Sequence, residues 1–370
     1  MPVSFFEFLQ YSLGIRQTLP ESAATISWPQ FYKFAAEQTL LGVCFDGIQR
    51  MSNDGNDSNP VPPDLLTKWM AKVERIKRSN IHVNKTCAKL FGYLEQERLN
   101  ACILKGQGNT ILYPNVYSRT PGDIDVWINA PHKEMEAFER KYFGDKVEKG
   151  NMHDGAYMDG VHVEMHFYPN RLRHPLYNRR LQKWFGQYAA EQCFHFVQLP
   201  DGVGRIAIPT PNFNLVYQLG HLQRHFLGSG LGLRQIIDYY MVMQAAQPAP
   251  ALADTVHHLG MDSFAAALMY VLHEVLALPE ERMIVDMNEK NGKALLADIL
   301  SEGNFGRGNP TTLKAEHYSH AHRYLIAIGR DLHLMRHFLR DAWLGPFIMF
   351  YEFFAIRVKR LLHRTSREKE

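Results

Sequence analysis

Residues 119–131 read RTPGDIDVWINAP, and this short stretch decides what the chain can be. Pro121-Gly122 is turn chemistry, and IDVWI is the β-branched and aromatic run of a short strand. Two aspartates, Asp123 and Asp125, stand one residue apart where a buried strand has no use for charge. Period-two geometry puts both on one face, with Ile124 and Val126 on the other. Carboxylates this close repel each other, and a fold tolerates them where cations neutralise the charge. Magnesium is the natural candidate, a hard ion that takes carboxylate oxygens together with substrate phosphates. An exposed strand edge, or a helix N-cap after the Pro-Gly turn, is the other use of such residues, so the neighbours must decide.

Upstream, ACIL (101–104) is an apolar run that ends in KGQGNT (105–110), a strand running into a loop. Gly106 and Gly108 would let backbone N–H groups approach a phosphate, and Lys105 would add a positive charge. Downstream, GAYMDGVHVEMHF (155–167) reads as a hairpin with its tight turn at Asp159-Gly160. Alternation puts His162, Glu164 and His166 on one face of the second strand, and Val161, Val163, Met165 and Phe167 on the other. An acid in so apolar a strand needs a reason. If this strand lies beside the D-x-D strand, Glu164 completes a three-carboxylate cluster; otherwise it is a salt-bridge partner of a neighbouring Arg or Lys. His162, Glu164 and His166 also spell an H-x-E-x-H zinc site suited to hydrolysis, although such histidines more often serve as hydrogen-bond partners.

The whole chain has 370 residues, 46% hydrophobic, 21% charged and 12% aromatic, which is globular composition with room for two or three domains. A net charge of +3 gives no general argument for nucleic acid. The cysteines (Cys44, Cys87, Cys102, Cys193) are far apart, without a C-x-x-C pair, and read as small buried hydrophobes in a reduced compartment. The N-terminus lacks the layout of a secretory signal, and the most apolar stretch, WLGPFIMFYEFFAI (343–356), is short and carries Glu352. A soluble cytoplasmic protein is the expectation.

Three regions follow from texture: a helical stretch (1–100), an α/β core (101–208) and a second helical stretch (209–370). WPQFYKFAAEQTLLGVCFDGIQRM (28–51) is helical, with Ser27 as cap and Pro29 in the first turn. SNDGNDSNPVPP (52–63) is a loop. Leu65, Leu66, Trp69, Met70, Val73 and Ile76 mark a long helix from about Asp64 to Arg98, or two helices broken near Ser79 and Asn80. HKEMEAFERKYF follows the D-x-D strand as a helix. Beyond residue 210, PNFNLVYQLGHLQRHFL, LRQIIDYYMVMQAA, SFAAALMYVLHEVLA and EKNGKALLADIL are helical, and SEGNFGRGNPTT (301–312) is a loop. His221 with His225, and Arg234 with Asp238, stand at i and i+4. They read as surface pairs or polar residues between helices, in preference to a lid over a ligand. GSGLG (228–232) connects the two helices. The basic tail (Arg357, Lys359, Arg360, Arg364, Arg367, Lys369) reads as a solvated helix end in preference to a contact with an anionic membrane or RNA.

The order of these elements resembles the nucleotidyltransferase superfamily, whose best-known members are DNA polymerase beta-like enzymes. A glycine loop follows an apolar strand, a D-x-D strand comes next, and a third acid lies on a later strand. The likeness is closer to an uncharacterised bacterial branch, on Lys105-Gly106, Tyr113-Pro114, Arg119, Asp123, Asp125, Glu164 and His166, within roughly 101–170. One departure is that Gln107 follows Gly106 where the superfamily usually has serine or glycine. The resemblance implies a small mixed sheet flanked by helices. It also implies two magnesium ions held by Asp123, Asp125 and Glu164, with a nucleoside triphosphate held by Lys105, Gly106, Gly108 and Arg119. The reaction implied is transfer of a nucleoside monophosphate to a hydroxyl of an unidentified acceptor: protein, sugar, small molecule or RNA. A nucleotide-binding protein that has lost turnover is the alternative.

Overall fold

All four strands expected between 101 and 167 form, and they share one sheet. The structure is a computed structural model that describes residues 3–56, 58–228, 230–247, 249, 251–303, 320–348 and 350. The strands are β1 (Ala101–Ile103), β2 (Ile124–Ile128), β3 (His153–Met158) and β4 (Val161–His166), in the order β1-β2-β4-β3. β1 and β3 run antiparallel to their neighbours, whereas β2 and β4 are parallel, with Asp125 directly beside Glu164. The hairpin turn is the one its sequence demands. Asp159 and Gly160 take φ values of 51° and 81°, which match the twist of the strands they join.

Helices surround the sheet. On the N-terminal side they are α1 (Val3–Ser12), α2 (Trp28–Glu37), α3 (Leu41–Asn53) and α4 (Pro63–Gln96). Next come a single turn α5 (Gln107–Thr110), α6 (His132–Phe143) and α7 (Pro175–Cys193), then α8 (Pro211–Leu227) and α9 (Leu233–Ala245). The C-terminal helices are α10 (Leu252–His258), α11 (Asp262–Leu276), α12 (Glu289–Glu302) and α13 (His320–Ala342). This is a mixed α/β protein, and one hydrophobic core runs through all three stretches of the chain. Phe8, Trp28, Phe31 and Trp69 meet edge-on or tilted in the N-terminal part of that core. No described helix is long and apolar enough to cross a membrane.

Several local expectations change. The helical run 28–51 is two helices, separated at Thr39, which sits in the left-handed region at φ 56°. Ser27 occupies the cap position but its side chain makes no capping bond. The long α4 does not break at Ser79-Asn80. Asn80 is fully buried, and its Nδ2 donates to the Ile76 carbonyl and, across the fold, to the carbonyls of Tyr117 and Arg119. An apparent helix breaker is thus a clamp on the segment before Asp123. KGQGNT winds at once into α5, and a small hairpin, β5 (Phe196–Gln198) with β6 (Arg205–Ala207), went unread. GSGLG does connect α8 to α9. All four cysteines are buried and free. Most of the 301–312 loop and the basic tail lie outside the described residues.

Candidate active site

The sheet presents its charged face to α8. Trp127 on β2 stacks on Phe213 of α8, with ring centroids 6.1 Å apart. Farther along the same face, Asp123, Asp125 and Glu164 line a cavity of about 510 Å³, within the usual range for a small-molecule site. Lys105 and Gly106 form one wall, and Arg224, His225, Arg234 and Asp238 from α8 and α9 close over the top. The three carboxylates therefore converge on one space. Neither the strand-edge reading nor the cap reading of the aspartates holds: Asp125 is 1% exposed in mid-sheet.

Asp125 is the electrostatic centre. Its Oδ1 lies 3.1 Å from Lys105 Nζ and 3.0 Å from His166 Nε2. Burial works against its charge, but Lys105 and His166 outweigh burial and hold its pKa well below the usual carboxylate range. His166 is raised in return: burial opposes its protonation, and the bonds to Asp125 and Glu164 prevail. Asp123 moves the other way, pushed up first by repulsion from Asp125 and then by burial. Gly106, at φ 57°, makes the tight exit from β1, and a side chain there would approach the Asp123 carbonyl. Gly108 does not line the cavity; it faces the core, against Ile208. Gln107 also turns away from the cavity, and its amide bonds Asn84 on α4.

Arg119 borders the cavity as part of a buried network. Its Nε and Nη2 donate to the two carboxylate oxygens of Asp238 at 2.7 and 2.8 Å, and the Tyr113 hydroxyl donates to Asp238 at 2.7 Å. Arg234 Nη1 donates to the Thr120 carbonyl at 2.9 Å. Together with Asn80, these contacts pin the segment that aims Asp123. The surface-pair reading of Arg234/Asp238 and of His221/His225 fails, because α8 is buried on nearly all sides and α9 packs against it. The histidine rings meet at 4.4 Å between centroids, and burial drives both pKa values down, that of His225 to about 3. Two reciprocal amide bonds between Asn109 and Gln218, at 3.1 and 2.8 Å, tie α5 to α8.

Two residues were missed. Arg224 reaches the cavity from α8 and makes no ion pair among the described residues; burial lowers its pKa. Nothing in the sequence tells which way a lone arginine on a buried helix points. His153 was legible. The two-residue turn at 159–160 fixes Met158 opposite Val161 and so carries His153 opposite His166. The H-x-E-x-H triad does not assemble as one site. Residues four apart on a strand lie about 13 Å apart along it, and the donors divide into two sets, His153/Glu164/His166 and Asp123/His162/Glu164.

The residues present fit divalent cations. Asp125 Oδ2 is buried with no hydrogen-bond partner, and each donor set has ligand atoms within 4.8 Å of one another. A family described as uncharacterised nucleotidyltransferases matches residues 24–277. None of the curated proteins compared matches the sequence. Among solved structures, an antigenic nucleotidyltransferase-like protein from Paracoccidioides brasiliensis is similar at 17% identity and a TM-score of 0.37, over 55% of this chain and 94% of that one.

Proposed function

The chain belongs to the family of uncharacterised nucleotidyltransferases, and we propose that it moves a nucleoside monophosphate from a nucleoside triphosphate to a hydroxyl-bearing acceptor. The acceptor oxygen bonds the α-phosphorus, the bridge to the β-phosphate breaks, pyrophosphate leaves, and the hydroxyl proton passes to a carboxylate. One observation carries this reading. Asp125 and Glu164 stand side by side on parallel strands and share with Asp123 a cavity whose other walls bear Lys105, Arg224 and Arg234.

Divalent cations on Asp123, Asp125 and Glu164, magnesium in the first instance, would supply positive charge to the phosphates and acidify the acceptor hydroxyl. The chain's own part is positioning and charge. Lys105 balances Asp125 so that the carboxylate stays ionised at any physiological pH. Arg224 and Arg234 offer guanidinium groups to the phosphate oxygens. The helices α8 and α9 limit water at the reacting centre, and Glu164 takes the acceptor proton. The network of Arg119, Asp238 and Asn80 holds the segment that carries Asp123, and Arg119 and Asp238 also line the cavity.

The test is incubation with labelled triphosphates, magnesium and a panel of proteins, sugars, small molecules and RNA. Transfer should appear and fall on the order of 1000-fold in Asp125→Asn; equal transfer in that variant would refute the mechanism. The position of Gln107 favours a second reading. Gln107 carries an amide where the superfamily usually has serine or glycine, and that amide is bound to Asn84 away from the cavity, as a protein that binds nucleotides without turnover would allow. Metal-dependent triphosphate binding without pyrophosphate release across the whole panel would select that reading.

A further inference from the structure

Glu164 belongs to both donor sets, and the two differ in chemistry. Asp123, His162 and Glu164 offer two carboxylates and one imidazole, whereas His153, Glu164 and His166 offer two imidazoles and one carboxylate. Magnesium takes oxygen ligands; imidazole favours first-row transition ions, and a His₂Glu set is a zinc donor set.

The distances sharpen this. His166 Nε2 lies 3.4 Å from Glu164 Oε2, and His153 Nε2 lies 3.6 Å from Glu164 Oε1. The longer of these is outside hydrogen-bond range and the shorter at its limit. Ligand bonds of about 2.0–2.2 Å at tetrahedral angles set neighbouring donors about 3.3–3.6 Å apart; each imidazole stands at such a distance from one or the other oxygen of Glu164, and the three donors lie within 4.8 Å of one another. His166 is 3% exposed, and Nδ1 of both rings is buried without a hydrogen-bond partner. His166 Nε2 also faces Asp125 Oδ1 at 3.0 Å, so a cation on that nitrogen takes the place of this hydrogen bond and has the Asp125 carboxylate beside it. Gly155 is paired with Glu164 across the hairpin, and the His162 ring packs against it.

We infer that His153, Glu164 and His166 form a site for a first-row transition cation of the zinc type, adjoining the magnesium-type carboxylates through the shared Glu164. The inference rests on the reading of Glu164 as a metal-facing residue, and it assigns one of the two ion positions to a different metal class. It brings in His153, which lies outside the motif on β4.

The experiment uses the full-length chain without a histidine tag, stripped with chelator and titrated with Zn²⁺ by calorimetry in excess Mg²⁺. X-ray absorption at the zinc edge follows. One zinc ion should bind, unaffected by magnesium, with imidazole scattering, and His153→Gln should weaken it on the order of 100-fold. His166→Gln should do the same, whereas His162→Gln should leave binding intact. Circular dichroism melts establish that each variant is folded, and Asn at the same position replaces any Gln variant that is not. Zinc binding equal in His153→Gln and the parent chain, or zinc displaced by magnesium, overturns the assignment. The two readings fail separately. Transfer that needs Asp125 but shows no zinc binding sinks this inference alone, and zinc binding without any transfer sinks only the proposed reaction.

Discussion

The buried pair Arg119–Asp238 gives a prediction that can be worked through. Both side chains are nearly closed to solvent, at 4% and 7% exposure, and their contact is bidentate. Removing one partner of such a pair leaves an uncompensated buried charge, at a cost of about 3–5 kcal/mol. The two halves are not equivalent. In Asp238→Asn, Arg119 and Arg234 are left facing each other without the carboxylate that stabilises both guanidinium groups. In Arg119→Met, Asp238 keeps the field of Arg234 and the Tyr113 hydroxyl. Asp238→Asn should therefore fall near the upper end of the range and Arg119→Met near the lower. With an unfolding entropy of about 2.1 cal/mol/K per residue over the chain, this corresponds to a fall in Tm of about 4–6 °C. Replacing both, as Arg119→Met with Asp238→Leu, should recover much of the loss, because a packed apolar pair needs no desolvation. Urea titration followed by circular dichroism measures all three. Single variants that each cost under about 1 kcal/mol, or a double variant less stable than either single one, would refute the coupling.

Other outcomes follow from the same geometry. Gly106→Ala places a side chain in the left-handed region, 3.4 Å from the Asp123 carbonyl, and should cost about 1–2 kcal/mol, measured by denaturant melting. His225 remains neutral in the fold down to about pH 3. As pH falls below about 6.5 the unfolded chain binds a proton that the folded chain does not, so stability declines, at up to about 1.4 kcal/mol per pH unit from this residue. His225→Gln should flatten the acid limb of a Tm–pH curve between about pH 6 and 4; parallel curves would show that the imidazole is not held neutral.

Much of the site's content was readable in one dimension. Alternation in DIDVWI and VHVEMH assigned faces correctly because strand geometry permits only two, and Asp159-Gly160 set the hairpin register because few residues accept its backbone angles. The same turn already implied His153 opposite His166, had the first strand been followed two residues further back. The contacts of Asn80 and Gln107 were not legible for a different reason. Local propensity describes the helix or loop in isolation, whereas their amides are engaged by Tyr117, Arg119 and Asn84, dozens of residues away in the chain.

The sequence by itself determined that Asp123, Asp125 and Glu164 lie on strand faces of fixed parity, since a period of two leaves no freedom. It did not determine that β2 and β4 are neighbours, nor that α8 and α9 fold their polar residues inward over them. Those facts depend on which surfaces bury each other. Only that packing converted Arg119 and Asp238 into a mutual pair, brought Arg224 to the cavity, and set Lys105 against Asp125, because charges separated along the chain interact only where folding removes the water between them.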